Sequence, residues 1–212
     1  MSKNSLMIGG GGHAKCLSEI AYSMGINIKA IIAPDLDQSS NLFCGLDHYP
    51  SDDGIYEFSS EEITLINGIG SLPNNNLRQE IFDKFSALNY KFQTLISKYA
   101  SVSNHVELCE GVQVMPNVTI NADVMIGHNS IVNTGSIIEH DCILGTNTHI
   151  APGAIMCGGV KCGDNVHVGT GATIIQGITI GDNCLIGAGV TVSRNLKSND
   201  KIYVARPFYA ES

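Results

Sequence analysis

The sequence contains no tryptophan, and aromatic residues make up only 6% of its 212 positions. A core without large rings must be filled by aliphatic side chains, and the 23 glycines indicate many tight backbone positions. Lys and Arg together number 12 against 20 Asp and Glu, which gives a formal net charge of −8. A protein that binds a phosphate backbone needs clustered basic residues, so this balance argues against a nucleic-acid partner.

Long apolar runs are also missing, since none approaches the roughly 20 residues that span a bilayer, and no membrane insertion is predicted. The apolar stretch at the N-terminus is too short for a signal peptide. The seven cysteines are odd in number and show no C-x-x-C spacing. We therefore expect reduced thiols and a cytoplasmic protein, without a disulfide framework or a zinc site.

Apolar residues recur at every sixth position over the C-terminal half. Stepping by six from Val102 reaches an apolar residue each time through Val192, which makes sixteen in a row. The position two residues before each of them is small or aliphatic, and glycine often follows. An α-helix repeats every 3.6 residues, and hairpins need turn pairs that are absent here.

A period of six is the signature of a parallel β-helix built from hexapeptide repeats. Three hexads form one triangular coil, so sixteen hexads predict about five coils. The aliphatic residue points inward on each face, and Gly, Asn or Asp accommodates each corner. Three cysteines fall at inward positions and are expected to act as small hydrophobic residues: Cys142, Cys162 and Cys184.

The N-terminal segment has the pattern of a strand, a glycine loop, a helix and a second strand. An apolar strand at 5–8 precedes the glycine-rich loop 9–15, a helical spacing covers 14–24, and a strand at 28–33 leads to Asp35. Glycines let backbone N–H groups approach a phosphate at a helix N-terminus, and the acid can bond to a ribose or a base. The alternative is a tight strand-to-helix turn without a ligand.

Further elements complete a small α/β unit. A buried strand is predicted over 63–70, a helix over 74–88 and a polar loop over 38–53. The predicted domains are an α/β domain over 1–94, a β-helix over 95–205 and a C-terminal tail over 206–212.

The segment Glu139-His140-Asp141 is the strongest candidate for catalysis. A neutral imidazole can take a proton from a nucleophile, and a neighbouring carboxylate can hold its tautomer. With a coil of three hexads, His140 stacks between Ala122 and Gly158, two small residues that leave space beside the ring. The alternative is a solvated polar residue on the face of a solenoid.

Two further histidines, His149 and His167, are one coil apart and should stack on one face. His149 is close enough in sequence to His140 to donate a hydrogen bond to an acyl oxygen. The spacing of the histidines does not match the helical H-x-x-x-H pattern of zinc sites, so no metal is predicted.

Five segments resemble the sugar acyltransferases of the sialic-acid O-acetyltransferase and bacillosamine-pathway N-acetyltransferase type. They are residues 8–15, 66–70, 77–78, 131–145 and 149–154. The resemblance implies a Rossmann-like α/β N-terminal domain followed by a left-handed parallel β-helix. It also implies a homotrimer that uses acetyl-CoA as co-substrate.

The resemblance further implies roles for individual residues. His140 would be the catalytic base and Asp141 its orienting partner. The acetyl group and CoA would contact Asn133, His149, Gly158, Gly159, Gly169, Gly187, Ala188 and Arg194. The nucleotide sugar would contact Gly10, Gly11, Gly12, His13 and Asp35.

The expected reaction is acetylation of the C4 amine of a UDP-linked 4-amino-4,6-dideoxy sugar, for bacterial surface glycan synthesis. O-acetylation of a sialic-acid-like sugar shares the same motifs and remains an alternative. A third possibility is a solenoid without catalysis that serves as a scaffold or binds nucleotide sugars.

Overall fold

The computed structural model describes residues 4–37, 40–73 and 75–204. Its first part is an all-parallel sheet with the strand order β3-β2-β1-β4, accompanied by α-helices. In chain order the elements are β1 (Asn4–Ile8), α1 (Gly12–Ser23), β2 (Ile28–Ile32), β3 (Asp47–Tyr49), β4 (Ile63–Asn67) and α2 (Leu77–Ala87). The predicted strand-loop-helix-strand unit therefore forms the centre of a Rossmann-like sheet.

Successive side chains of β1 face opposite sides of this sheet, as the two-residue period of a strand requires. Met7 packs with Ala14 and Leu17 of α1, and this cluster continues into the core of the C-terminal part. Leu6 faces the other side and packs in the cluster of Phe85 from α2. The sheet is thus buried on both faces, which explains the nearly unbroken apolar sequence of its central strands.

The segment 38–53 differs from the predicted loop. Residues 47–49 form the edge strand β3, which pairs in parallel with β2, and 3₁₀ turns cover Asn41–Phe43 and Asp52–Glu57. The side chains of β3 are exposed or half-buried, so no alternating apolar pattern marks it in the sequence. Residues 38 and 39 lie outside the described part of the chain.

The other predicted elements are present with shorter bounds. The helix predicted over 74–88 is α2, and it begins beside Asn75, whose Oδ1 accepts from the backbone N–H of Leu77 at 2.9 Å. The strand predicted over 63–70 is β4, which ends at Asn67. No helix of the described ranges is long and apolar enough to cross a membrane.

The second part of the chain is a three-sided prism of two-residue strands. They are β5 (Leu95–Ile96), β6 (Ser101–Val102), β7 (Glu107–Leu108), β8 (Gln113–Val114), β9 (Thr119–Ile120), β10 (Met125–Ile126), β11 (Ile131–Val132), β12 (Ile137–Ile138), β13 (Ile143–Leu144), β14 (His149–Ile150), β15 (Ile155–Met156), β16 (Lys161–Cys162), β17 (His167–Val168), β18 (Thr173–Ile174), β19 (Thr179–Ile180), β20 (Leu185–Ile186), β21 (Thr191–Val192) and β22 (Lys201–Ile202). The sixteen apolar residues of the six-residue repeat are the second residues of β6 through β21. The hexad prediction is therefore confirmed strand by strand.

Three parallel sheets form the faces of the prism. The first face contains β5, β8, β11, β14, β17, β20 and β22, the second contains β6, β9, β12, β15, β18 and β21, and the third contains β7, β10, β13, β16 and β19. Each strand pairs with one in the next coil, as Ile131 pairs with His149 and His149 with His167. The first face lies under the Rossmann-like part, since α1 packs against β5.

The corners of the prism also follow the period of six. Backbone φ angles are positive at one residue of each corner from 111 to 189, and every such residue is Gly, Asn or Asp, the types that adopt this conformation at least cost. They are Gly111, Asn117, Asp123, Asn129, Gly135, Asp141, Asn147, Gly153, Gly159, Asn165, Gly171, Gly177, Asn183 and Gly189. The corners therefore explain much of the glycine and asparagine content of the chain.

The inward residues form one continuous core. Each aliphatic side chain in it contributes about 1.5–3 kcal/mol before chain entropy is subtracted. Cys142, Cys162 and Cys184 are buried within it as free thiols, as predicted from their phase. Burial raises the pKa of Cys142 to about 11, so this thiol is protonated and unreactive at neutral pH.

The predicted domain limits remain predictions. The first strand that pairs within the prism is β5, at Leu95–Ile96. The proposed C-terminal tail at 206–212 lies outside the described residues.

Candidate active site

His140 lies in the turn that links β12 to β13. Its Nδ1 is 2.6 Å from Oδ2 of Asp141, and both side chains are 64% exposed. Asp141 has a φ of 60°, so it occupies a corner position where Asp is tolerated. The short distance shows that an aspartate at this position reaches the ring.

This hydrogen bond defines the state of the imidazole. A carboxylate can only accept, so Nδ1 carries the proton and Nε2 has a free lone pair. The hydrogen bond to Asp141 is the largest cause of a raised pKa of His140. Burial opposes this shift, and the smaller effects of the charges of Asp141 and Glu139 add to it. Nε2 has no hydrogen-bond partner among the described residues and can accept a proton from a substrate.

The next coil shapes the space around the ring. A Cβ atom at Gly158 would lie 2.7 Å from Cε1 and Nε2 of His140, so any larger residue there would displace the ring. The carbonyl of His140 accepts from the N–H of Gly159 at 2.9 Å, and Asp141 N–H donates to the carbonyl of Ala122 at 3.1 Å. The predicted stacking of His140 between Ala122 and Gly158 is confirmed.

The turns from the second to the third face form one edge of the prism, which we call the His140 edge (139–142, 157–160, 175–178 and 193–194). Glu139 lies in the first of these turns, and its Oε2 accepts from Nδ2 of Asn121 at 2.7 Å. Arg194 is exposed at the far end of the same edge. Three of the predicted CoA contacts, Gly158, Gly159 and Arg194, thus share an edge with His140.

The other predicted CoA contacts lie along a different edge. The turns from the first to the second face form the Asn133 edge (133–136, 151–154, 169–172 and 187–190). Gly169 is packed against the following coil, because a Cβ atom there would lie 2.6 Å from the backbone N of Ala188. A Cβ atom at Gly187 would come within 3.1 Å of the carbonyl O of Ile202. Coil stacking alone accounts for both of these glycines.

Asn133 and His149 are in contact at the start of this edge. The backbone N–H of Thr134 donates to Oδ1 of Asn133 at 2.8 Å, which directs Nδ2 toward Nε2 of His149 at 3.2 Å. Because an amide nitrogen donates, Nε2 of His149 accepts and the ring proton lies on Nδ1. In this arrangement Nε2 of His149 accepts from Asn133 within one chain, and the expected donation from His149 to an acyl oxygen stays a prediction.

The ring of His149 is buried and neutral. Burial lowers its pKa to about 3, with smaller contributions from the neighbouring charges of His167 and Arg78. The rings of His149 and His167 are 4.9 Å apart and nearly perpendicular, so the predicted stacking is confirmed. His149 lies in β14 on the first face. His140 lies at the end of β12 on the second face, on the side that leads to the third face. One chain therefore does not bring the two rings together.

The glycine loop joins β1 to α1. Gly11 is the N-cap residue of α1, and a Cβ atom at Gly11 or Gly12 would meet nothing within 4 Å. A Cβ atom at Gly10 would lie 3.2 Å from the carbonyl O of Asp35, so the loop and the acid after β2 are neighbours. Open space, a helix N-terminus and an acidic residue after the second strand are the features of a nucleotide site.

His13 differs from the other predicted nucleotide contacts. Its Nε2 is 2.8 Å from Oε1 of Gln113 on the first face of the prism. Burial lowers the pKa of His13 to about 4, so its ring is neutral and does not offer a positive charge to a diphosphate. The sequence reasoning missed Gln113, together with Arg78 and Asn129, which lie in the same buried interface.

Two cavities border the prism away from His140. One of about 260 Å³ lies between residues 71–79 and the turns from the third to the first face. Another of about 340 Å³ lies between α1 and the N-terminal coils. The exposed His140 lines neither of them, so the open edge and not a closed cavity holds the candidate base.

Three family models match the chain. The PglD N-terminal domain matches residues 4–85. The hexapeptide repeat of succinyl-transferase matches 116–152, and the bacterial transferase hexapeptide (six repeats) matches 159–194. These matches coincide with the Rossmann-like part and with the prism.

Solved structures agree with the family models. Perosamine N-acetyltransferase from Caulobacter crescentus, in a histidine-to-asparagine variant with CoA and GDP-perosamine, is 34% identical with a TM-score of 0.83, and the match covers 93% of this chain and 92% of that one. The acetyltransferase domain of PglB from Neisseria gonorrhoeae FA1090 with acetyl coenzyme A is 27% identical with a TM-score of 0.86 over 95% and 96% of the chains. WeeI from Acinetobacter baumannii AYE, at 21% identity and a TM-score of 0.79 over 93% and 95%, shares the fold.

The resemblance identified in the sequence and the predicted fold class are therefore both confirmed, including a left-handed β-helix. The chain belongs to the sugar N-acetyltransferases that join a PglD-type N-terminal domain to a left-handed β-helix of hexapeptide repeats.

Proposed function

We propose that this chain transfers the acetyl group of acetyl-CoA to the C4 amine of a nucleotide-linked 4-amino-4,6-dideoxy sugar. The observation that carries the proposal is the His140–Asp141 pair, which leaves Nε2 of an imidazole free on an open edge of the prism. The relatives support the acceptor type, because both PglB and the Caulobacter enzyme are named as acetyltransferases and the latter is solved with GDP-perosamine.

The reaction needs one base and no covalent enzyme intermediate. The acceptor amine attacks the thioester carbonyl while Nε2 of His140 takes the amine proton. An amide C–N bond forms, the C–S bond breaks, and the CoA thiolate leaves and receives the proton from His140. Asp141 holds the ring in the required tautomer and stabilises the imidazolium.

A donor for the developing oxyanion is supplied in this proposal by the Asn133 amide. Oδ1 of Asn133 is held by Thr134, and Nδ2 is held by His149, so the amide has a defined orientation. One such donor contributes on the order of 3–4 kcal/mol in enzymes of this type of chemistry. His149 then acts as the residue that orients the amide.

The site is completed by a neighbouring subunit in a homotrimer. The predicted CoA contacts fall on two separate edges of one prism, the His140 edge and the Asn133 edge, and a cleft between two prisms would bring such edges together. Arg194 lies on the His140 edge, where it is a candidate for a CoA phosphate. Sedimentation analysis should give about three times the mass of one chain, and a monomer with full activity would contradict this part of the proposal.

The nucleotide sugar is assigned to the glycine loop, with Gly10, Gly11 and Gly12 at the diphosphate and Asp35 at the nucleoside. UDP is the nucleotide expected from the resemblance. GDP is a second candidate, because PerB from Caulobacter crescentus, 36% identical with a TM-score of 0.82 over 92% of this chain and 91% of that one, is solved with CoA and GDP-perosamine. We expect one of the two nucleotides to give a clearly higher kcat/KM.

The proposed reaction takes place in the cytoplasm as a step of surface glycan synthesis, which agrees with seven free thiols. The test is the release of CoA thiol from acetyl-CoA with a panel of UDP- and GDP-linked 4-amino sugars, with NMR of the product. An N-acetyl product supports the proposal. An O-acetyl product, or no release with any sugar, would favour the O-acetyltransferase or the non-catalytic alternative.

A further inference from the structure

Gln113 is a fully buried amide on the first face of the prism. It is the first residue of β8 and has no exposed surface. The residues paired with it in the adjacent coils are Leu95 and Ile131, which are apolar and buried. A buried amide is costly unless it is hydrogen-bonded, and coil stacking does not require one here.

Both ends of this amide contact the Rossmann-like part. Nε2 of Gln113 donates to the carbonyl of Asn67 at 2.8 Å. Because that carbonyl can only accept, the orientation of the amide is determined, and Oε1 is the atom that faces Nε2 of His13 at 2.8 Å. His13 is therefore the donor, and its ring is held by the prism.

The two partners of Gln113 belong to the loops at the nucleotide edge of the sheet. His13 is the second residue of α1 and directly follows the glycine loop, and Asn67 is the last residue of β4. Parallel sheets bind their ligands at the carboxyl ends of the strands, where both of these residues lie. A single side chain of the prism thus contacts the ends of two nucleotide-site loops.

A buried arginine strengthens the same connection one coil further along. Arg78 donates from Nη1 to the carbonyls of Asn67 and Ile69, at 2.9 and 2.7 Å, and from Nε to the carbonyl of Asn129 at 3.1 Å. Nδ2 of Asn67 donates to Oδ1 of Asn129 at 3.1 Å. The end of β4 is therefore attached to two successive coils.

We propose that Gln113 is a positioning residue for the nucleotide sugar, which holds the glycine loop and the end of β4 at a fixed place on the prism. The inference rests on the proposed function, since it takes the glycine loop as the nucleotide site. A displacement of about 1 Å in a bound substrate can cost on the order of 100-fold in rate. Gln113 therefore sets where the acceptor amine meets the acetyl group.

The test replaces Gln113 by methionine, which keeps the size and removes both polar atoms. We expect the Gln113→Met variant to raise KM for the nucleotide sugar about fivefold or more, with KM for acetyl-CoA changed less than about twofold. The matched control is Thr148→Val, which removes a buried hydrogen bond to the Gly163 carbonyl inside the prism and no hydrogen bond to the loops. It should lower thermal stability and leave both KM values unchanged.

An exchange of the two side chains tests the contact itself. His13→Gln and Gln113→His should each raise KM for the nucleotide sugar, and the double variant should recover part of the loss, because the pair can again form a hydrogen bond. Additive losses would overturn the inference, as would equal effects of Gln113→Met on both KM values. If Gln113→Met does not fold, His13→Gln carries the test from the other side of the contact.

Different results would remove the proposed function and the positioning role of Gln113. A wild-type enzyme that acetylates no nucleotide-linked amino sugar would remove the function. In that case calorimetric titration with UDP and GDP still tests the loops, and equal affinities for wild type and Gln113→Met would overturn the positioning role. If the wild type turns over and Gln113→Met has unchanged KM values, only the positioning role is lost.

Discussion

The properties of a single imidazole depend on two neighbours that the hexad repeat supplies. Asp141 occupies a corner position with positive φ, and Gly158, which has no side chain, leaves room for the ring in the next coil. His140 could be predicted from the sequence, because the acid beside it and the small residues 18 positions before and after it can be read directly from the residue order. The distance of 2.6 Å to Asp141 could not be predicted, since it depends on the backbone angle at that corner.

Replacing Asp141 by asparagine should change how the activity depends on pH. Asparagine tolerates the corner conformation, as Asn147 does at the next corner of the same coil, so the fold is retained. Because Asp141 raises the pKa of His140, its loss lowers that pKa, and the acid limb of kcat/KM moves to lower pH. We also expect kcat to fall at least about tenfold, since Asn can stabilise the wrong tautomer.

The matched control is Asp123→Asn, at the equivalent corner one coil earlier, where φ is also 60°. It should leave the pH profile of kcat/KM as in the wild type. An unchanged acid limb and rate in Asp141→Asn would show that Asp141 does not act through His140.

At the scale of elements, the coils were predictable because each repeats the same choice of side chains. Each inward position recurs every six residues, and each corner from 111 to 189 carries Gly, Asn or Asp, so local and global signals agree. The edge strand β3 was missed because its side chains are exposed and only backbone hydrogen bonds to β2 define it.

The interface between the two parts was not predictable from sequence patterns. His13 was assigned to the nucleotide because it follows the glycine loop, but its ring contacts Gln113, which lies 100 residues away in sequence. A polar residue at an outward position among apolar neighbours of the first face is the signal that could have indicated a contact. Its partner depends on the packing of the Rossmann-like part against the prism.

Stacking between coils gives a second prediction. In Gly158→Ala the new Cβ would lie 2.7 Å from the His140 ring, so the ring must shift. Gly158 does not have a positive φ, so alanine is compatible with the backbone. We expect kcat to fall about tenfold or more, with little change in the thermal unfolding temperature.

Adding Gly158→Ala to a His140→Ala variant separates displacement of the His140 ring from a direct effect of Gly158 on CoA. There is no ring to displace, so adding Gly158→Ala should not lower the residual activity further. A further loss of similar size would indicate that Gly158 acts on CoA and not through His140.

At the scale of the whole molecule, the buried histidines of the interface link stability to pH. The pKa of His13 is lowered to about 4 and that of His149 to about 3, whereas unfolded histidine titrates near 6.5. The unfolded chain therefore binds more protons below pH 6.5, and the free energy of unfolding decreases as the pH falls from there toward 4. Each of the two residues contributes a slope of up to about 1.4 kcal/mol per pH unit.

Urea unfolding between pH 7.5 and 5 measures this slope. A His149→Phe variant should show a smaller loss of stability over this range, because one of the two groups no longer titrates. His105→Gln, at an exposed position, is the control and should match the wild type. A His149→Phe variant with an unchanged slope would contradict the assignment of a lowered pKa to this ring.

The chain combines two parts that the interface holds together, and in the proposed function a second prism completes the His140 edge. In the proposed reaction, Nε2 of His140 removes the proton from the acceptor amine during acetyl transfer. In the Caulobacter relative, variants with a histidine replaced by asparagine or alanine are solved with both CoA and GDP-perosamine, so that enzyme still binds both molecules without this histidine.

The most direct measurement is kcat of the His140→Ala variant with acetyl-CoA and the best nucleotide-linked amino sugar, together with the Kd of each substrate. We expect kcat to fall by about 100- to 10,000-fold while both Kd values stay within a few-fold of the wild type. Turnover close to that of the wild type in the folded variant would show that His140 is not the base.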